Sequence, residues 1–364
     1  QFPIHIAPQH VIDGEIKPVA PFNEMRAVAH EIVPGVWAEV RFGGEIFEME
    51  DQRNWTDASY KTYGTPLRLP FPAEVPAGTS IRQLVTISLL NRDWPAADEA
   101  VSMAQNKLVL LTIGDKRTPL PKIGVGVATH DQPLRAVELG RLRALGLSHL
   151  RVDLRLGEAT YATALRQATE EASALGVALE VALHLTDNAA AELRALAALV
   201  YEIQPPVATW LVFHVKEKAT SAQWVTLARE TLAGYEPKAK IGAGTNLYFT
   251  ELNRSRPPVE VLDLVAYSIN PQVHAFDNSS LVETMAAQAT TATSARQFCG
   301  DLPLIVSPIT LQPRFNPNAT GPEPEPAPGE LPAQVDPRQM SLFGAGWTLG
   351  SIKYLAETGA VASV

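Results

Sequence analysis

From residue 122 onward one unit recurs: a short apolar run rich in β-branched residues, then a helix-length amphipathic segment. The runs are KIGVGVAT (122–129), HLRVDLR (149–155), ALEVALHL (178–185), TWLVFHV (209–215), KIGAGTN (240–246), DLVAYSIN (263–270), LPLIVSPIT (302–310) and SLFGAGW (341–347). Helical spacing of apolar residues fits 132–145, 160–175, 188–202, 220–233 and 279–296, with a final helix starting near Thr348. Eight such units in about 240 residues predict a TIM (β/α)8 barrel, an α/β fold whose parallel strands close on themselves inside a ring of helices. The rival doubly wound sheet would carry G-x-G-x-x-G after its first strand, and none is there.

The preceding stretch obeys a different rule. Up to about residue 93 the apolar residues are short, interrupted and often alternating, as in GVWAEVRF (35–42), GEIFEM (44–49) and RQLVTISL (82–89). Turn residues separate these runs, so they predict an additional N-terminal antiparallel β-sandwich-like domain. A helical patch at 96–105 and a strand at 107–114 lead out of it. The expected division is 1–115 for the β-rich domain with its connector and 116–364 for the barrel.

Composition narrows the function classes. Hydrophobic residues make up 46% and charged residues 19%, enough for a full-sized core. The 39 acidic against 30 basic residues give net −9, the wrong sign for a nucleic-acid surface. No apolar run reaches the roughly 18 residues of a membrane span. Cys299 is the one cysteine, so neither an internal disulfide nor a C-x-x-C site is expected. The opening QFPIHIAPQH lacks the basic flank and long apolar core of a signal peptide. These features predict a cytoplasmic protein acting on a small molecule, with no nucleic-acid or membrane partner and an open oligomeric state. The absence of Met at residue 1 and the apolar end AVASV suggest trimmed termini.

Strand parity places the polar residues. If Leu150, Val152 and Leu154 face the helices, then Arg151, Asp153 and Arg155 face the lumen. Likewise Leu179, Val181 and Leu183 turn Glu180, Ala182 and His184 inward. The same reasoning points His130, His214, Asn246, Ser268, Asn270 and Gln272 inward. Charged groups in a lumen are costly unless paired or functional, and barrel active sites form at the carboxyl ends of the strands.

Several chemistries fit. Glu180 and His184 share a strand face but stand about 13 Å apart, so they cannot contact one small atom together. His184, at the strand end, is the better catalytic or binding group, whereas Glu180 sits deeper and suits orienting Arg151 or Arg155 or setting a neighbour's protonation state. Glu251 and His274, in the exits of strands five and six, are the leading base candidates. Asp153, Arg155, Asn246, Asn270 and Gln272 are expected to contact the substrate. Arg314, Asn316 and Asn318, in the loop after strand seven, are placed to reach the same mouth. The polar, aromatic segment EMEDQRNWTDASYKTYG (48–64) reads either as a solvated hairpin or as a loop supplying Asn54 and Trp55 to the mouth. A cluster of His130, His184, His214 and His274 with Asp153 would suit a divalent metal, but no metal motif supports it and no cofactor is expected. Glycoside hydrolysis needs two facing carboxylates. The commonest barrel glycosidases place Glu at the ends of strands four and seven, where this chain has His214 and Ser307–Thr310.

FEMEDQRNWTDASYKTYGTPLRLPFP (47–72), YFTELNRSRP (248–257), YSINPQVHAFDNSSLVET (267–284), SPITLQPRFNPNATG (307–321) and SLFGAGWTLGSIKYLAE (341–357) resemble the bacterial D-apionate lactonase family. The resemblance runs through nearly the whole chain, and EDQRNWTDAS is its most distinctive string. It implies hydrolysis of D-apionolactone to D-apionate during catabolism of the branched sugar apiose, by a carboxylic ester hydrolase. It also implies a chain shorter than the usual member, and it assigns no catalytic residue. The residues suit such a reaction through general-base activation of water, with Arg155, His184 or Asn246 at the oxyanion. No G-x-S-x-G elbow is present for a serine esterase. The alternatives are a glycoside hydrolase-like enzyme with a carboxylate pair and a non-catalytic carbohydrate-binding protein. Trp55, Tyr248 or Trp347 would serve either as an aromatic platform.

Overall fold

The structure is a computed structural model and describes residues 2–12, 15–18, 20–66, 69, 74–90, 112–128, 132–316, 321 and 326–364. It forms two compact units. The first comprises Gln1–Pro3, Ala20–Asp51 and Tyr60–Arg117. In it Ala27–Val33 pairs antiparallel with Val36–Gly43, which pairs on its other edge with Leu84–Leu89. A second antiparallel pair joins Glu48–Asp51 to Tyr60–Tyr63. Met25, Phe47 and Met49 are buried together, with Phe22, Val28, Phe42 and Tyr60 packed against them. The antiparallel sheet character matches the alternating sequence pattern. The helical patch at 96–105 and most of the strand at 107–114 lie outside the described residues, and 112–114 is irregular.

The second unit comprises Ile4–Val19, Gln52–Ser59 and Thr118–Val364. Besides an antiparallel pair of Gln9–Ile12 with Glu15–Pro18, eight of its described strands run parallel in chain order around a barrel. They are β1 (Gly124–Gly126), β2 (His149–Arg155), β3 (Ala178–Leu185), β4 (Val207–His214), β5 (Lys240–Tyr248), β6 (Leu264–Ile269), β7 (Leu304–Ile309) and β8 (Val361–Ser363). A parallel bridge between Lys122 and Ser363 closes the ring beside β1. The intervening helices are α1 (Ala136–Ala144), α2 (Tyr161–Leu175), α3 (Ala189–Ile203), α4 (Ala222–Leu232), α5 (Phe249–Arg254), α6 (Asn278–Glu283), α7 (Met285–Cys299) and α8 (Leu342–Glu357). Their buried residues recur at helical spacing, as with Leu193, Leu196 and Val200 in α3 and Val225, Ala228 and Leu232 in α4.

Two apolar layers follow from strand parity. Leu150, Val152, Leu179, Val181, Trp210, Val212, Val265, Tyr267, Leu304 and Val306 belong to the main core shared with the helices. Ala182, Leu211, Phe213, Leu264, Ala266 and Ile305 form a separate cluster inside the barrel. That division confirms the inward parity of Arg151, Asp153, Glu180, His184, Asn246, Ser268 and Asn270.

The structure corrects two strand assignments. His214 shares the parity of Trp210 and Val212, not that of Leu211 and Phe213. It therefore faces the helix layer, where its ring stacks on Trp224 of α4 with centroids 4.4 Å apart. The segment 341–347 begins α8, and the eighth strand is Val361–Ser363. Ser341 caps α8 by accepting from the backbone N–H of Gly344. Gly344 also lets the chain approach closely, because a Cβ there would stand 2.6 Å from the Arg338 carbonyl oxygen. A short apolar run has no periodicity with which to distinguish strand from helix start.

Backbone packing constrains the fifth strand most sharply. Gly244 adopts φ +149°, and a Cβ there would lie 2.2 Å from the backbone oxygen of Ala266 on β6. Gly244→Ala is therefore expected to destabilise the barrel by about 1–3 kcal/mol in urea denaturation. Gly126→Ala, which meets nothing within 4 Å, should change stability by no more than about 0.5 kcal/mol. Equal effects would remove the steric explanation.

Candidate functional site

The upper lumen is built on a buried guanidinium. Arg151 on β2 donates from Nε to Asp153 Oδ2 and from Nη2 to Asp153 Oδ1, both at 3.0 Å. Its Nη1 donates to the Ser307 carbonyl and hydroxyl oxygens, each at 3.0 Å, and approaches Glu180 Oε1 at 3.4 Å. Ser307 in turn donates its hydroxyl hydrogen to Glu180 Oε1 at 2.6 Å. Burial opposes the Arg151 charge, but Asp153 and then Glu180 outweigh it and raise its pKa. Glu180 thus lies beneath the mouth in contact with both Arg151 and Ser307. Glu180 also borders a cavity of about 440 Å³ at the opposite end of the barrel, together with Lys122, His149 and Lys240.

Asp153 and His184 form the upper pair. His184 Nε2 lies 2.9 Å from Asp153 Oδ1. Burial alone would raise the Asp153 pKa, but the Arg151 charge and the hydrogen bonds from His184 and Arg151 hold it well below the usual carboxylate range. An ionised carboxylate only accepts, so Nε2 carries the hydrogen. Burial lowers the His184 pKa against the opposing pull of Asp153, which keeps the ring neutral near pH 7. Nδ1 is then left with its lone pair, and no hydrogen bond among the described residues uses it. Asp153 opens to the mouth with 36% of its side-chain surface exposed, whereas the His184 side chain is 7% exposed.

Other elements complete this face. Arg314, in the loop after β7, donates from Nη2 to the Asn246 carbonyl oxygen at 2.9 Å and to its Oδ1 at 2.6 Å. Asn270 is buried, and its Oδ1 has no hydrogen-bond partner among the described residues. Arg155 is exposed and approaches Glu158 at 3.9 Å.

A second pair comes from the 52–59 segment, which belongs to the barrel unit. His274 Nδ1 meets Asp57 Oδ2 at 2.5 Å, and Trp55 packs edge-on against His274 with centroids 5.4 Å apart. Trp55 also lies beneath the Arg254 guanidinium, 5.5 Å from ring centroid to Cζ. Glu251 is buried rather than solvated, 3.0 Å from Arg254 and 3.6 Å from Lys218. Asn54 is a latch on α5: its carbonyl accepts from Thr250 at 2.7 Å and its Oδ1 from Asn253 at 2.8 Å. Gln272 is another latch, donating to Leu311 O and Asp336, both at 2.7 Å, and accepting from Arg338 at 2.9 Å. Between these groups a cavity of about 420 Å³ is lined by Tyr248, Val273, Phe276, Phe315 and Asn316 among others.

Strand parity thus identified the lumen residues, whereas the Asp57–His274 pairing, across 217 positions of chain, carried no local signal. Ser307 was missed because a lone serine in an apolar strand carries none either. Trp347 is buried with Leu281 and Leu311 and offers no surface platform. Among the described residues no three His, Cys, Asp or Glu side chains converge as metal ligands. His184 meets Asp153, His274 meets Asp57, His214 faces α4, and His130 lies outside the described residues. Asn318 also lies outside the described residues.

Comparison with known proteins places this geometry in a family. The TIM barrel domain model of D-apionate lactonase matches residues 123–364, and the family's N-terminal domain model matches residues 7–92. The chain belongs to the D-apionate lactonase family. A D-apionate lactonase from Brucella anthropi is 31% identical over 354 residues, covering 92% of this chain and 56% of that protein. The chain thus spans little more than half the length of that curated relative. Among solved structures, a family 51 α-L-arabinofuranosidase from Bifidobacterium longum is similar at TM-score 0.44 and 12% identity, covering 68% of this chain and 67% of that one. A β-glucuronidase from Ruminococcus gnavus gives TM-score 0.37 at 11% identity, covering 54% of this chain and 37% of that one. Likenesses this distant carry no functional argument.

Arg151→Met would leave Asp153 and Glu180 without their shared cation and is expected to lower stability by about 3–5 kcal/mol. Lys353→Met, which breaks the exposed Lys353–Glu357 pair 2.9 Å apart, should cost far less stability than Arg151→Met. Urea denaturation at pH 7 checks both, and a loss below about 1 kcal/mol for Arg151→Met would show that the buried network does not hold the barrel together.

Proposed function

We propose that this chain carries the active site of a sugar lactonase that opens D-apionolactone to D-apionate with His184 as general base. Family membership and the relative's name support the substrate class. The observation that supports the mechanism is the Asp153–His184 pair, a neutral imidazole with its unprotonated nitrogen unused beside an ionised carboxylate. The base assignment thus moves from Glu251 and His274, which the sequence favours, to His184. Glu251 is enclosed by two cations.

The reaction follows from these roles. His184 Nδ1 takes a proton from water as the water oxygen attacks the lactone carbonyl carbon. The carbonyl π pair moves to oxygen, giving a tetrahedral oxyanion. When that pair returns, the bond to the ring oxygen breaks, and the ring oxygen takes the proton from His184. The new carboxylic acid releases its proton to solvent. Asp153 fixes the ring orientation and stabilises the transient imidazolium, as the acid does in other acid–histidine pairs. Asn270 and the cavity beside Tyr248 are proposed to hold sugar hydroxyls. The reading extends to a cytoplasmic enzyme without a cofactor, because the protein itself supplies base and cations. No helix among the described residues is long and apolar enough to cross a membrane.

The test is proton release from D-apionolactone, with and without a chelator, beside a panel of aryl glycosides. Chelator-resistant release is expected. Glycoside cleavage without lactone opening would sink the reading, and chelator-sensitive release would return a metal to the mechanism. His184→Gln should lower kcat/KM by about 10²–10⁴-fold. Because the His184 pKa lies below its ordinary 6.5, the neutral base persists as pH falls past that value. The acid limb of kcat/KM is therefore expected below pH 6.5. An acid limb at or above 6.5, or an unaffected His184→Gln, would remove His184 as the base.

A further inference from the structure

Two guanidinium groups, those of Arg151 and Arg314, meet at the carboxylate of Asp153, and the charge of Arg155 is felt at Arg314. Arg151 is matched by Asp153 and Glu180. Arg155 is exposed beside Glu158. Arg314 is different, because its two close acceptors, both on Asn246, are neutral. Its carboxylate contact among the described residues is Asp153 Oδ1, at 3.6 Å from Nη1. That oxygen already receives Arg151 at 3.0 Å and His184 at 2.9 Å. Burial and then the Arg151 charge lower the Arg314 pKa to about 10, against the pull of Asp153. Arg314 is thus a cation with only 25% of its side-chain surface exposed and no carboxylate of its own. It also lies beside the base, since Nη1 and the His184 ring flank the same oxygen.

We propose that Arg314, seated on Asn246, is the anion-binding group of this site, taking the tetrahedral oxyanion and then the carboxylate of an aldonate. The oxyanion half rests on the lactonase reading, and the aldonate half stands without it. A neutral lactone offers the guanidinium a carbonyl dipole. The oxyanion formed when water adds offers a full charge, so the contact strengthens as the reaction proceeds and raises kcat more than it lowers KM. After the ring C–O bond breaks, the charge resides on the carboxylate, which matches the planar fork of an arginine. The same contact therefore makes the open-chain acid bind more tightly than the lactone, and the enzyme is subject to competitive inhibition by its product.

Two variants separate charge from fold. Arg314→Gln removes the cation. Asn246→Asp leaves it in place but gives it a carboxylate partner where the amide oxygen now accepts. Arg166→Gln, on the outer face of α2 and paired with Glu202 at 2.7 Å, serves as a surface-charge control, and circular dichroism confirms folding. Calorimetric titration of the intact chain with D-apionate is expected to show binding that weakens at least tenfold in both site variants and is unchanged in Arg166→Gln. Kinetics on D-apionolactone should show kcat falling by about 10²–10³-fold in Arg314→Gln, with KM within about threefold. Wild-type protein that binds no D-apionate, or affinity equal in wild type and both site variants, would overturn the proposal. Should the wild type open no lactone yet bind D-apionate through Arg314, the lactonase reading falls and the anion site stands.

Discussion

The upper lumen depends on a guanidinium that is almost fully buried. Arg151 is 4% exposed and reaches β2, β3 and β7 through Asp153, Glu180 and Ser307. A buried cation of this kind is tolerable only with its partners in place, so one side chain ties three strands to a common geometry. Its bidentate grip keeps Asp153 ionised. That charge fixes the hydrogen on His184 Nε2 and leaves Nδ1 free. Because Asp153 is already engaged by Arg151, it cannot fully compensate Arg314. The base and the unmatched cation thus share one origin.

The barrel unit also incorporates a segment that is distant in sequence. Residues 52–59 reach α5 and His274 through Asn54, Trp55 and Asp57. Thr56, between Trp55 and Asp57, adopts φ +71°, a conformation that costs a β-branched residue energy and persists only where its surroundings enforce it. The Asn54 contacts to Thr250 and Asn253 supply that enforcement on one side and the Asp57–His274 contact on the other. The distinctive string EDQRNWTDAS therefore encodes an internal brace for the β5 and β6 exits, and the solvated-hairpin reading of its centre does not hold.

Strand parity was legible where the two faces differ in polarity. HLRVDLR alternates leucine or valine with charged residues, so the inward positions of Arg151 and Asp153 could be read directly. TWLVFHV is apolar on both faces, and His214 was accordingly assigned to the wrong one. SLFGAGW failed for a related reason: a seven-residue apolar run fits a buried strand as well as a helix start. The histidines at 184 and 274 were both recognised as candidates, but which carboxylate each would meet was not readable. Nothing in local sequence distinguishes Asp153 from Asp57 as a histidine partner.

By itself the sequence determined the succession of strands and helices, the antiparallel character of the first unit and which side chains of β2, β3, β5 and β6 point inward. Those properties follow from residue periodicity, which acts over a few neighbouring positions. The family was legible too, because distinctive strings recur along the chain. Tertiary structure alone decided that Arg151 would be shared by Asp153, Glu180 and Ser307, and that Arg314 would be left with neutral acceptors. It also decided that His184 would be buried and neutral. Each of these depends on the distance and dielectric between groups from different strands, which barrel closure sets and no local pattern records.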